Sequence, residues 1–246
     1  MKRLTKILTR SLAIVLTLSL MLGIGLLFYA SIVMRGDREA AISAWQNPAV
    51  SITSTDHSIV LTPTGAPSGA GLVFIPGAKV DPYSYLFKLT GIVEETGLTV
   101  VITKPILNLA ILDLRPLETF TADAPDVEQW VVGGHSLGGA RACQIADEAD
   151  VVGLVLFGSF CANDLSDSQL AVLSIGGSGD GLSTPEKIQS GAVLLPAATS
   201  FVEIDGFNHA DFGDYGAQSG DGESTLTSEE ARAALTAELL GLFGAG

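Results

Sequence analysis

The sequence has little of what metal, nucleotide and nucleic-acid sites require. Its 246 residues include three histidines, His57, His135 and His209, and two cysteines, Cys143 and Cys161, with no ligand spacing among them. Asp221-Gly222-Glu223 is too short for a calcium loop. The glycine string Gly176-Gly177-Ser178-Gly179-Asp180 lacks the spacing and the long following helix of a dinucleotide fingerprint. No metal and no cofactor is therefore expected. Basic residues are scarce after Arg35: 8 Lys or Arg stand against all 27 acidic residues, a formal charge of −19 for that part. Such a surface repels phosphate backbones, which excludes nucleic acid as a partner, and its plainest meaning is solubility. No internal repeat is present, and no second apolar run is long enough to span a bilayer.

One such run does exist. Lys2, Arg3, Lys6 and Arg10 precede an uncharged stretch of 24 residues, Ser11 to Met34, closed by Arg35. As a helix it would be about 36 Å long, enough to cross a bilayer with some tilt. The positive-inside bias puts the amino end in the cytoplasm and the rest outside. A cleaved signal has a shorter apolar core, ~7–15 residues, and a small-residue cleavage site, for which Tyr29-Ala30-Ser31 is a poor candidate. The expectation is a single-pass membrane protein, its globular part outside the cell membrane and secreted if the segment is cleaved. No cysteine follows the run to carry a lipid. Cys143 and Cys161 admit one disulfide in an oxidising compartment; two buried small hydrophobes is the plainer reading.

Residues 1–35 thus read as basic terminus and anchor, 36–56 as a linker or first helix, and 57–246 as one domain. Strands are expected at His57–Thr62, Gly71–Ile75, Leu98–Thr103, Val127–Val132, Val151–Phe157, Leu170–Ile175 and Ser200–Ile204. Helical spacing covers Tyr83–Thr96, more loosely Asn108–Phe120, then Leu137–Glu148, Pro185–Gly191 and Ser228–Phe243, the last with Ser228 as its cap. Runs such as Val151–Phe157 are apolar on both faces, as parallel strands between helices require. The fold class is α/β, a three-layer α/β/α sandwich with a mostly parallel sheet, preceded by one transmembrane or signal helix.

The most informative feature is Gly134-His135-Ser136-Leu137-Gly138, directly after the apolar run Trp130 to Gly133. A strand ends, the chain turns on small residues, and a serine hydroxyl is lifted clear at the start of a helix: a nucleophile elbow. Together with Pro76-Gly77-Ala78-Lys79 near the front and Gly206-Phe207-Asn208-His209-Ala210-Asp211-Phe212-Gly213 near the end, the chain resembles the α/β-hydrolase superfamily, in particular its small, lidless dienelactone-hydrolase-like serine hydrolases. The resemblance covers about residues 57–244. Dienelactone hydrolase itself uses a cysteine nucleophile, so dienelactone is not implied as substrate.

Ser136 is the nucleophile on this reading, and it needs a base. His209, on a loop after the last strand, is the candidate; His57 reads as surface or packing, and His135, inside the elbow, should point its ring away from the scissile bond. Asp180, straight after the strand ending at Ile175, is the acid expected to orient the imidazole, with Asp164 as runner-up. Asp205, Asp211 and Asp214 lie too near His209 in sequence to be preferred. The oxyanion donors expected are the backbone amides of Leu137 and, by match with the family pattern, Ala78. Lys79 either binds a substrate carboxylate or is a solvated side chain; Lys104 has less support for the same role. About a dozen residues separate Phe157 from Leu170, too few for a large lid. The implied function is hydrolysis of small to medium carboxylic esters through an acyl-enzyme. The triad does not separate this from thioesterase, acyltransferase or amidase chemistry, and the fold alone does not exclude a non-catalytic binding protein. Expected partners are the small-molecule ester and, through the first helix, the lipid bilayer.

Overall fold

Strand sequences that are apolar on both faces build one eight-stranded sheet in the order β1-β2-β4-β3-β5-β6-β7-β8. The structure, a computed structural model, describes residues 2–243. The strands are β1 (Val50–Ser54), β2 (Ser58–Pro63), β3 (Ala70–Ile75), β4 (Thr99–Thr103), β5 (Gln129–His135), β6 (Gly153–Phe157), β7 (Ala171–Gly177) and β8 (Ser200–Ile204). β1 and β2 are antiparallel to their neighbours, and β3 to β8 run parallel. All six parallel strands therefore end at one edge of the sheet, and the loops that follow them meet there.

The helices are α1 (Lys2–Ser31), α2 (Arg38–Gln46), α3 (Leu86–Thr96), α4 (Glu118–Thr121), α5 (Leu137–Glu148), α6 (Pro185–Gly191) and α7 (Ser228–Phe243). Because side chains alternate along a strand, β3 sends Leu72 and Phe74 to one face and Val73 and Ile75 to the other. The first pair packs with Leu86, Leu89 and Ile92 of α3 and Leu235 and Leu239 of α7. The second packs with Ala142, Cys143 and Ile145 of α5. The expected three-layer, mostly parallel arrangement is present. α1 is the one helix among the described residues that is long and apolar enough to cross a membrane.

Four details differ from expectation. Besides the first helix the sequence allowed there (α2, capped by Asp37 Oδ1 on the Ala40 amide), residues 36–56 carry an unexpected edge strand, β1, which pairs with β2 through Ile52 and Leu61. The polar Ser/Thr run masked this strand, because only Val50 on it is buried. The looser helix over 108–120 is instead two short 3-10 turns and the single-turn α4, interrupted by Pro116 and by left-handed backbone at Leu107 and Asn108. The cap of α7 is Thr227, whose Oγ1 accepts the Glu230 amide while Glu230 Oε2 accepts the Thr227 amide. The Ser228 hydroxyl goes elsewhere, to Asp214 Oδ1. Finally, Cys143 and Cys161 form a disulfide with Cα atoms 5.6 Å apart, so they are not two free buried thiols; it ties α5 to the loop after β6.

Candidate active site

The turn from β5 into α5 is built as the glycines dictate. A Cβ on Gly134 would lie 2.5 Å from the backbone of Gly138, and one on Gly138 would lie 2.1 Å from the Ile75 carbonyl oxygen. Only bare backbone lets the elbow press against the end of β3. Between them Ser136 takes φ 53° and ψ −123°, a conformation that L residues rarely adopt and that tends to mark functional sites. It is held by neighbours: its amide donates to the Phe157 carbonyl at 3.0 Å, and Ser159 Oγ donates to its carbonyl at 2.7 Å.

The loop after β7 carries Asp180 and the loop after β8 carries His209, both buried. His209 Nδ1 and Asp180 Oδ2 are 2.8 Å apart. The other carboxylate oxygen of Asp180 accepts the amides of Leu182 at 2.8 Å and Ser183 at 2.6 Å, which fixes the plane of the group. His209 opens a short 3-10 turn capped reciprocally by Asn208 and Asp211. Asp221 joins the two loops: its carboxylate accepts the amides of Gly181, His209 and Ala210. Ser136 Oγ and His209 share no hydrogen bond among the described residues.

Three successive amides follow β3. Gly77 N donates to Tyr85 Oη at 3.0 Å and Lys79 N to the Asn108 carbonyl at 2.7 Å. The Ala78 amide between them has no partner among the described residues, and neither has that of Leu137, at the first turn of α5. Ala78 and Leu137 are both half-buried and sit on the two chain segments that Gly138 brings together.

The other sequence candidates are accounted for differently. Asp164 is exposed and accepts the Ser166 amide in a turn, Asp205 accepts from Ser178, and Asp211 caps. Lys104 donates to Ser54 Oγ and the Thr55 carbonyl, at the β1–β2 turn. Lys79, with φ 59°, directs its ammonium over the Tyr29 ring, 3.9 Å from the centroid. A cleft of about 890 Å³ lies elsewhere, lined by Lys88, Asp214 and Ser228 and touching the His209 loop at Asn208, Ala210 and Asp211. There the buried Lys88 ammonium pairs with Asp214 and donates to Ser228 Oγ at 2.6 Å, stitching α3 to α7; burial pulls its pKa down against the pull of Asp214.

The chain matches the Alpha/beta hydrolase family over residues 71–233. It belongs to that family. Among solved structures, the alpha/beta hydrolase chain is similar to a lidless α/β serine hydrolase from Xanthomonas campestris, with 16% identity, a TM-score of 0.54, and 81% of this chain and 97% of that one covered. It is also similar to the esterase domain of a Rhodothermus marinus protein, with 14% identity, TM-score 0.55, and 79% and 97% covered. A third is the carboxylesterase CesB from Bacillus subtilis, with 12% identity, TM-score 0.55, and 85% and 96% covered. At these identities the likeness is one of fold. No curated protein matches at a significant level. The family fold together with the Asp180–His209 pair supports a serine-hydrolase mechanism.

Several residues of this alpha/beta hydrolase site escaped sequence reasoning. Gly158, at φ 48°, lies against the relay: a Cβ there would sit 2.9 Å from Asp180 Oδ2 and 3.1 Å from His209 Nδ1. His135 does not simply point away. Its ring packs against that of His209, centroids 4.4 Å apart, and its Nδ1 is 2.9 Å from Tyr85 Oη. Burial, and then the neighbouring His209, hold its pKa well below the usual histidine value. Tyr85 Oη also accepts the Gly77 amide, so this ring and the loop after β3 share one phenol. The Phe-Gly-Ser that follows β6 was a signal for Gly158 and Ser159; nothing local marked Tyr85 or Asp221.

Proposed function

We propose that the protein is a carboxylic ester hydrolase that works through an acyl-enzyme on small to medium esters. The observation that carries this is the 2.8 Å His209–Asp180 bond at the same sheet edge as the strained Ser136. Ser136 Oγ attacks the ester carbonyl as His209 Nε2 takes its proton, and Asp180 holds the imidazole with Nδ1–H turned inward and offsets the imidazolium charge. The oxygen of the tetrahedral intermediate takes hydrogen bonds from the free amides of Ala78 and Leu137, each worth ~3 kcal/mol in such sites. His209 returns the proton to the leaving alcohol, and a water activated in the same way releases the acid. α5 adds the positive end of its dipole beneath the oxyanion.

The short connection between β6 and β7, without room for a covering insertion, supports an open pocket of the lidless, dienelactone-hydrolase-like kind and hence modest substrate size. Lys79 is oriented toward Tyr29, which favours a structural role over carboxylate recognition. The test is turnover of p-nitrophenyl esters from acetate to palmitate by the full chain in detergent, beside Ser136→Ala, with fluorophosphonate labelling. Short-chain turnover and labelling, both lost in the variant, are expected. Labelling without ester turnover would move the activity to thioesters, amides or acyl transfer. Neither would leave a binding protein on a hydrolase fold.

A further inference from the structure

The first helix is joined to the catalytic domain without slack. The apolar span of α1 runs from Thr5 to Ser31 and is largely exposed until its last turn. Three residues later Met34 forms a parallel bridge with Val80, its amide donating to the Lys79 carbonyl at 2.7 Å and its carbonyl accepting the Asp81 amide at 2.9 Å. The end of the helix is fixed as well: Ala30 is buried, Asn108 Nδ2 reaches its carbonyl at 3.4 Å, and the Lys79 ammonium caps the Tyr29 ring. Asp37 then donates its amide to the Asp214 carbonyl at 2.5 Å.

These contacts fall on the loops after β3, β4 and β8, at the sheet edge that carries Ser136, Asp180 and His209, and Lys79 is the neighbour of Ala78. Three residues of extended chain reach at most ~10 Å. If α1 spans a bilayer, the catalytic edge has no means of standing further away. The loop after β4, beside Asn108, also presents apolar side chains to the outside: Ile106, Ile111, Leu112 and Leu114, the last 77% exposed. An apolar rim contiguous with a membrane span is the surface expected to rest in the headgroup layer.

We infer that the active-site edge is seated on the bilayer that holds α1, through the rim formed by Ile111, Leu112 and Leu114, and that the substrate is an amphiphilic acyl ester resident in that bilayer. The substrate half of this rests on the esterase reading above; the seating does not. The open site then faces the leaflet, and a single-chain ester reaches Ser136 by rising a short distance out of it. The junction 30–37 is part of the domain's own packing, so the anchor and the oxyanion loop move as one piece.

The experiment uses the full chain in phosphatidylcholine nanodiscs. Both native cysteines are in the disulfide, so Leu114→Cys and, at the opposite sheet edge, Glu128→Cys can each carry a single environment-sensitive fluorophore. Lipids with a spin label in the acyl chain should quench the probe at 114 several-fold more than that at 128. Equal quenching, or none at either, overturns the seating. In the same discs, hydrolysis of an embedded monoacylglycerol, absent in Ser136→Ala, is the expected result. Turnover of p-nitrophenyl acetate with no turnover of the embedded ester overturns the membrane-borne substrate while leaving the esterase. Turnover of neither ester defeats the esterase reading and with it the substrate, while the quenching still reports the seating.

Discussion

Tyr85 Oη and His135 Nδ1 share a buried hydrogen bond of 2.9 Å. The same phenol oxygen accepts the amide of Gly77, so one tyrosine couples the residue beside Ser136 to the loop that presents the Ala78 amide.

The burial of His135, with His209 beside it, sets a pH dependence. His135 has a folded-state pKa below its unfolded value of about 6.5. Between the two the unfolded chain binds the extra proton, so stability is full above about pH 6.5 and falls as the pH drops below it. The slope from this group is at most about 1.4 kcal/mol per pH unit. Urea unfolding between pH 7.5 and 5 should show the decline, and His135→Phe should flatten it. An unchanged slope in the variant would place the acid sensitivity elsewhere.

The relay makes a separate demand. His209→Ala and Asp180→Asn should each lower kcat on p-nitrophenyl acetate by about 10⁴-fold or more while far-UV circular dichroism stays native. Asp164→Asn should leave kcat within a factor of two, since Asp164 is an exposed turn residue.

Gly158 should behave as a positioning residue. Gly158→Ala introduces a methyl 2.9 Å from Asp180 Oδ2 and puts an L side chain at φ 48°. Displacing the pair by about 1 Å corresponds to roughly 100-fold in rate, whereas the backbone term is only about 1 kcal/mol. The expected signature is kcat falling about 100-fold with a Tm loss of a few degrees and KM little changed. A loss confined to Tm would make Gly158 a packing glycine.

The sheet and the elbow were legible because their signals are local: strands apolar on both faces, glycines flanking a serine, a histidine after the last strand. Ser136, Asp180 and His209 are far apart in the chain, yet each follows a strand of the same parallel sheet, so order along the sequence stood in for proximity. β1 was not legible, since an edge strand with four of five side chains at least partly exposed looks like a polar linker. Ser228 reads as the cap of α7 although its neighbour Thr227 is an equally good capping residue; the deciding contact, Ser228 with Asp214, spans 14 positions. The disulfide and the grip of Asp221 on the amides of Gly181, His209 and Ala210 are likewise products of folding, with no periodicity to announce them.

The backbone of Ser136 has a wider consequence. A left-handed conformation penalises any residue with a Cβ by about 1–2 kcal/mol, and glycine escapes it. The usual catalytic knockout, Ser136→Ala, keeps that penalty. Ser136→Gly removes it together with the hydroxyl, and its thermal midpoint should exceed that of Ser136→Ala by an amount corresponding to about 1 kcal/mol. The amino acid that position 136 holds most stably and the one the proposed mechanism needs there are then different, so folding and the proposed chemistry pull this position in opposite directions.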